Sequence, residues 1–382
     1  MTARTLRDLE TPALLLDATR LDRNLARMRA RMRELGTAIR PHVKTAKSID
    51  VLRRALVGEP GGITVSTLGE ADYFLEHGIR DIIYAVGIAP GKLDHVVSLT
   101  RRGAALALVL DSVAAVQAVS HAAVAAALSI PVLIELDVDG HRAGVTPDGP
   151  ELLEIARAVA AAPGVELRGV LTHAGESYNC RDIDALRAMA ERERAGAVGA
   201  AERIRALGMR VPVVSVGSTP TVTFARSLSG VTEARVGVYM FCDLVMSGLS
   251  VCAVEDIALS VLVSVIGHQP AKGWVITDGG WMALSRDHGT ASQPVDQSFG
   301  VVCDIAGRAL REDLIVRSTN QEHGVIARRN GGALNPADFP IGTMLRILPN
   351  HACATAAQHS RYLVVDGERP EVIDTWPRLN GW

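Results

Sequence analysis

Between residues 39 and 241 the chain repeats one unit: a short apolar, β-rich run, then a segment whose apolar residues recur at helical spacing. The runs fall at 39–43, 62–66, 81–86, 104–110, 131–138, 167–173, 211–217 and 232–241. Helical patterns separate them at 49–56, 69–77, 92–102, 113–127, 152–162, 183–207 and 221–228. Parallel strands need long crossover connections, so this alternation predicts a parallel sheet with helices packed on it. Eight such units are the arithmetic of a (β/α)8 barrel, with a doubly wound open sheet as the alternative. A short strand at 13–16 and a helix carrying Leu21, Leu25, Met28 and Met32 precede the first unit.

Beyond residue 246 the texture changes. Strand-like runs at 257–268, 274–278, 297–304, 314–318 and 344–348 follow one another without a long amphipathic helix, and Gly and Pro are frequent. This predicts a mostly β domain over 246–382, joined by the strand within 10–18, after a barrel over 20–245. The chain has 382 residues, 48% of them hydrophobic, enough for a large core. A net charge of −2 supplies no basic surplus for nucleic acid. The uncharged stretch 112–134 is broken by Ser, Gln, His and Pro, so it reads as a helix and a buried strand and not a membrane span. The N-terminus has no secretory pattern, and the five scattered cysteines form no C-x-x-C motif. Free thiols in a reducing cytoplasm are expected.

Barrel enzymes carry their sites at the C-terminal ends of the strands, which directs attention to the polar residues there. The first strand runs into Arg40-Pro41-His42-Val43-Lys44-Thr45. A lysine in a barrel mouth is partly desolvated, which favours the neutral amine of a nucleophile or general base; a solvated lysine starting a helix is the plain reading. After the fifth strand comes Asp139-Gly140-His141-Arg142, where Arg142 suits a bound anion or phenolate, or an ion pair with Asp137 or Asp139. The sixth ends in Thr172-His173-Ala174-Gly175 with Tyr178 close behind; the plain reading is a satisfied core histidine beside a packing tyrosine.

Gly217-Ser218-Thr219-Pro220 follows the seventh strand and Arg235-Val236-Gly237-Val238-Tyr239 forms the eighth. Glycines that admit a close approach, two hydroxyls and a helix start make a phosphate cradle, and these are the two loops where barrels commonly build one. Ser-Thr-Pro also serves as a plain helix cap. There is no Walker A or G-x-G-x-x-G sequence, so a nucleotide is not indicated. In the β region, Pro349-Asn350-His351-Ala352-Cys353 would place His351 and Cys353 on one side if extended, a candidate pair of metal ligands. His323 is a further polar residue that lines a cleft or makes a turn.

These segments, in this order, resemble the fold-type III pyridoxal-phosphate enzymes of the D-serine dehydratase and D-threonine aldolase family, over nearly the whole chain. The closing Leu379-Asn380-Gly381-Trp382 and Lys44-Thr45-Ala46-Lys47-Ser48 belong to the same resemblance. It implies an alanine-racemase-like (β/α)8 barrel with a C-terminal β domain and a homodimer. Lys44 would carry pyridoxal 5'-phosphate; Ser218, Thr219, Gly237, Val238 and Tyr239 would hold its phosphate. His173 would lie against the ring, Tyr178 would contact the cofactor, and Arg142 would approach its phenolic oxygen. His351 and Cys353 would bind a divalent metal (Zn, Mn, Co or Mg), with His351 taking part in catalysis as its ligand.

The implied reaction is β-elimination from a D-3-hydroxy amino acid, first of all D-threo-3-hydroxyaspartate to oxaloacetate and ammonia, with D-serine as another substrate. Retro-aldol cleavage to glycine and an aldehyde is the alternative. Aldolase members tend to have Asp where this chain has Cys353, which favours the dehydratase. A racemase would want an opposing tyrosine from the second domain, for which Tyr362 is the one candidate after residue 239. A non-catalytic cofactor-binding protein would be a lone barrel.

Overall fold

The computed structural model describes residues 4–310, 313–332 and 334–382. It opens with β1 (Ala13–Asp17) and helix α1 (Ala18–Leu35). Eight strands then alternate with helices: β2 (Ala38–Ile39), β3 (Ile63–Val65), β4 (Asp81–Gly87), β5 (Ala105–Leu110), β6 (Ile130–Leu136), β7 (Val165–Thr172), β8 (Val213–Val216) and β9 (Glu233–Ala234). They form one 8-stranded parallel sheet in the order β2-β9-β8-β7-β6-β5-β4-β3.

The two ends of that order meet just past β2. His42 bridges to Thr64, Val43 N–H donates to Thr64 O at 2.9 Å, and Thr64 N–H donates to Pro41 O at 2.9 Å. The barrel is closed, as the eightfold alternation predicts, and the stitch lies immediately before Lys44. Ile83, Val109, Leu133 and Leu171 from four consecutive strands form one buried cluster. A polar cluster also ties the sheet: Arg40 Nε donates to Glu233 at 2.7 Å and its terminal nitrogens reach Asp81 at 3.0 Å. Helix α1 ends at Gly36, whose φ of +65° lets Thr37 N–H return to Met32 O at 3.1 Å.

The last barrel strand is shorter than the run 232–241 suggests. After Ala234 the chain leaves the ladder, and Val238–Met240 is a 3-10 turn. The helix expected at 221–228 starts earlier, at Thr219–Phe224, because Ser218 caps it and Pro220 sits in its first turn.

The second unit is antiparallel. Its strands are β10 (Leu259–Gln269), β11 (Trp274–Thr277), β12 (Val301–Cys303), β13 (Leu314–Thr319), β14 (Gly324–Arg328), β15 (Met344–Leu348), β16 (Arg361–Val365) and β17 (Asp374–Pro377). The sheet order is β11-β14-β13-β12-β15-β10-β1-β16-β17, and β11 also pairs with β10. Strands β10 to β15 therefore close on themselves as a small barrel. Long β10 makes this possible: 261–264 pairs with β15 and 265–269 with β11, across a bulge at Val265/Gly267. β1 joins β10 antiparallel and β16 in parallel. The chain divides at Arg27/Met28 and at Gly237/Val238, with residues 381–382 grouped with the parallel barrel.

Candidate functional site

Lys44 lies in the turn that follows the barrel stitch and is exposed. Lys47 N–H closes that turn on Val43 O at 2.7 Å, and Lys47 adopts a φ of +45°. Its ammonium pairs with fully buried Glu70 at 3.1 Å, so of the two lysines Lys47 is tied down. His42, on the preceding bridge, is held well below its ordinary pKa by burial and by the charges of Lys44 and Arg235.

Beyond β7, His173 Nδ1 lies 2.5 Å from Gly217 O. A carbonyl only accepts, so Nδ1 carries the proton and Nε2 has the lone pair. Burial lowers the imidazole pKa to about 3; the Gly217 bond opposes that, and the cations Lys44, Arg235 and Arg142 reinforce it. His173 is neutral at physiological pH. The Tyr178 ring stands 6.4 Å from it, tilted by 49°.

Arg142 is exposed in the loop after β6. The carboxylates considered as its partners are engaged by backbone: Asp137 accepts Gly140 N–H at 2.7 Å, and Asp139 accepts Glu176 N–H at 2.8 Å. Its charge is felt by Glu135, whose carboxyl pKa burial raises and Arg142 lowers.

Ser218 caps the helix Thr219–Phe224, accepting Thr221 N–H at 3.2 Å, and its hydroxyl meets that of Ser177 at 3.0 Å. Thr219 Oγ1 is buried with no hydrogen-bond partner. A Cβ on Gly237 would stand 2.8 Å from His42 O and 3.0 Å from Thr45 Oγ1. Only a glycine at 237 lets the chain there approach the turn bearing Lys44 so closely. The barrel rim thus gathers Lys44, His173, Tyr178, Ser218, Thr219 and Gly237, with Arg142 in the adjoining loop; Val238 and Tyr239 continue from Gly237.

Two buried charged residues behind the rim were not singled out in the sequence. Arg235 donates to Thr172 O at 2.6 Å and to Ser215 Oγ at 2.7 Å, and burial lowers its pKa to about 10. Glu193 accepts from Ala174 N–H, Gly217 N–H and the Thr221 hydroxyl. Burial raises its carboxyl pKa, against those three donors and Arg235.

In the antiparallel unit the expectation of an extended segment at 351–353 is corrected. His351 is the extended N-cap of a short helix, Ala352–Ala356, so Cys353 sits in a first helical turn. The helix is started by Asp243, a buried carboxylate that accepts Ala352 N–H at 2.9 Å. His351 and Cys353 still meet. Burial opposes protonation of His351, but the Cys353 charge, a bond to Asp287 and a bond to Cys353 raise its pKa to about 11. Asp287 Oδ2 takes Nδ1 at 2.8 Å, which reserves Nε2. Among the described residues no group of three or more His, Cys, Asp or Glu side chains is placed around a metal position. His323 makes a turn: Asn320 N–H donates to His323 O at 2.8 Å between β13 and β14.

The two units carry two family signatures. The profile of the alanine racemase N-terminal domain matches residues 16–244, and that of the putative serine dehydratase domain matches 258–365. The chain belongs to the alanine-racemase-like family of pyridoxal-phosphate-dependent enzymes with a serine dehydratase domain. Within it, the chain is 52% identical to D-threo-3-hydroxyaspartate dehydratase of Delftia sp. (strain HT23), over 99% of both chains. A solved structure of that protein, 52% identical, superposes with a TM-score of 0.96 over 99% of this chain and 100% of that one. A cysteine-to-alanine mutant of D-threo-3-hydroxyaspartate dehydratase, in its metal-free form, is 51% identical with the same TM-score and coverage. More distant relatives include the D-serine dehydratase of Dictyostelium discoideum (28% over 98% of both chains) and the D-threonine aldolase of Arthrobacter sp. (29% over 96% of this chain and 92% of that one).

Proposed function

We propose that this chain is a lyase dependent on pyridoxal phosphate and a divalent metal. It converts D-threo-3-hydroxyaspartate to oxaloacetate and ammonia by β-elimination. The full-length likeness to the Delftia dehydratase, at 52% identity, carries the reading. No helix among the described residues is long and apolar enough to cross a membrane.

The rim fits the cofactor on its own chemistry. Lys44 offers an accessible amine, Thr219 a buried hydroxyl without a partner, and Gly237 a backbone approach that a Cβ would block. Pyridoxal phosphate bound at Lys44 supplies an electron sink for negative charge at the substrate Cα. Ser218, Thr219, Gly237, Val238 and Tyr239 would hold its phosphate, and Tyr178 would contact it. His173, neutral and fixed through Nδ1, would offer a flat uncharged face to its ring, and Arg142 would serve as a donor to its phenolic oxygen. With the cofactor in place, the Lys44 amine would serve as the base that takes the proton from the substrate Cα.

His351 and Cys353 would hold the metal. An imidazole and a thiolate favour zinc, and a site with so few protein ligands also admits manganese, cobalt or magnesium. Such an ion supplies Lewis acidity to a departing hydroxide. A homodimer is carried over from the family resemblance. A cytoplasmic location is supported by five cysteines, none of which forms a disulfide.

The relatives named as D-serine dehydratase and D-threonine aldolase define the competing readings. Product analysis decides among them. Protein loaded with cofactor and metal is given D-threo-3-hydroxyaspartate, and ammonia with oxaloacetate is scored against glycine with glyoxylate. Ammonia and oxaloacetate are expected; glycine and glyoxylate would mean an aldolase. A preference for D-serine under the same conditions would move the chain to the second dehydratase reading.

A further inference from the structure

Glu193 lies in the middle of the helix Ile183–Arg205 and is 2% exposed. A carboxylate so deeply buried is costly unless donors satisfy it. Its donors come from three separate places. Oε1 accepts Ala174 N–H at 3.0 Å and Gly217 N–H at 3.1 Å, and Oε2 accepts the Thr221 hydroxyl at 2.7 Å. Ala174 follows His173, Gly217 precedes Ser218, and Thr221 is the residue whose N–H Ser218 caps.

Gly217 is therefore held on both sides, its N–H by Glu193 and its carbonyl by His173 Nδ1 at 2.5 Å. The Gly217–Ser218 peptide is held at its other end too, since Ser218 N–H donates to Thr221 Oγ1 at 3.3 Å. Gly217 itself cannot be replaced. Its φ is +152°, and a Cβ would fall 2.4 Å from Arg235 O.

We infer that Glu193 is a positioning residue that sets the His173 ring and the Ser218–Thr219 hydroxyls in one register. It thereby couples the ring-binding and phosphate-binding parts of the cofactor site. The inference rests on the pyridoxal-phosphate reading above. Without the carboxylate, two backbone N–H groups and a hydroxyl lose a buried acceptor, and the loops after β7 and β8 lose their common anchor. The phosphate contacts should suffer most, because Glu193 holds Thr221 and Thr221 braces Ser218, a residue proposed to hold the phosphate.

The test compares pyridoxal phosphate with pyridoxal, which lacks the phosphate, by equilibrium titration of apoprotein. The readout is the ratio of the two dissociation constants. In the wild type, pyridoxal phosphate is expected to bind far more tightly. Glu193→Ala is expected to shrink that preference by about tenfold or more, the scale of one lost organised contact. Glu193→Gln keeps an oxygen for the two N–H groups and restores the preference to within about threefold of wild type. Thr221→Val removes the Oε2 donor together with the Thr221 hydroxyl's own bonds to Ser218; it is expected to shrink the preference as Glu193→Ala does, and serves if that variant does not fold. A role confined to stability would lower melting temperature and leave the ratio untouched. An unchanged ratio in Glu193→Ala, or in Thr221→Val where the alanine variant is insoluble, overturns the inference. A wild type that does not prefer pyridoxal phosphate would instead overturn the cofactor reading beneath it.

Discussion

Asp287 holds His351 by its Nδ1 at 2.8 Å, and so decides which nitrogen the imidazole presents beside Cys353. A histidine that ligates a metal through Nε2 commonly donates its other N–H to a carboxylate, which fixes the tautomer and makes the ring a better donor. Asp287→Asn or Asp287→Ala is expected to weaken metal binding by about 10- to 100-fold, the usual cost of removing such a partner. A titration of apoprotein with zinc against a chromogenic chelator checks it. Affinity equal to wild type in both variants would mean that His351 is oriented by the chain alone.

Lys44 is the exposed amine on the turn after the barrel stitch, whereas Lys47 is committed to Glu70 at 3.1 Å. The two lysines are thus separable by experiment. Lys44→Ala should lose the visible absorption of covalently bound cofactor and lower turnover by at least about 10²–10⁴-fold, the range for a positioned acid–base group. Lys47→Ala should keep that absorption. Reversal of the two results would move the attachment point by one turn of chain.

Much of this arrangement was legible in the sequence, for physical reasons. Strands of a closed parallel barrel are covered on the outside by helices, so they read as nearly continuous apolar runs bounded by helical patterns. The last run was overlong because Val238–Met240 is as apolar as the strand before it, though the backbone there turns. In the antiparallel unit, β14, β16 and β17 escaped notice, being short and set among Gly, Pro and charged residues. The His351–Cys353 pair was found on the assumption of an extended chain. The start of a helix at Ala352 depends on Asp243, 109 residues away, which no local spacing reveals. Glu193 stands in an Ala-Glu-Arg-Glu-Arg run that looks like a solvated face. Yet with Leu186, Ala190, Ala197, Ala200 and Ile204 it shares the buried stripe of its helix, and that spacing was the available signal.

Gly237 is a sharp test of how closely the two halves of the rim must approach. A methyl group there would meet His42 O at 2.8 Å, a backbone atom of the barrel stitch that cannot swing away. Gly237→Ala should destabilise the protein by about 1–3 kcal/mol, the cost of forcing an extra carbon into a packed site. It should also weaken pyridoxal phosphate binding, since the turn carrying Lys44 is pushed outward. Gly342→Ala is the control: no atom lies within 4 Å of its added Cβ, although its φ of +89° carries a backbone cost of its own. Thermal unfolding checks stability, and titration with pyridoxal phosphate separates the two effects. Cofactor affinity lost equally in both variants would show that backbone strain, not the contact at His42, sets the outcome.

The His173 pKa of about 3, against an ordinary value of 6.5, gives a pH dependence of known sign. Between those values the unfolded chain binds a proton at this residue and the folded chain does not. Stability therefore falls as pH drops from 6.5 towards 3 and is recovered as pH rises through that window. The slope from this one group is at most ~1.4 kcal/mol per pH unit. His173→Asn removes the titration while its amide can still donate to Gly217 O, which now accepts from Nδ1 at 2.5 Å. Urea unfolding of both proteins at several pH values between 4 and 7 measures the difference. The expected outcome is a stability gap between wild type and variant that shifts against the wild type as pH falls. A gap independent of pH would mean that the folded protein protonates His173 as readily as the unfolded chain does, and the ring would then present a cation at the barrel rim under acidic conditions.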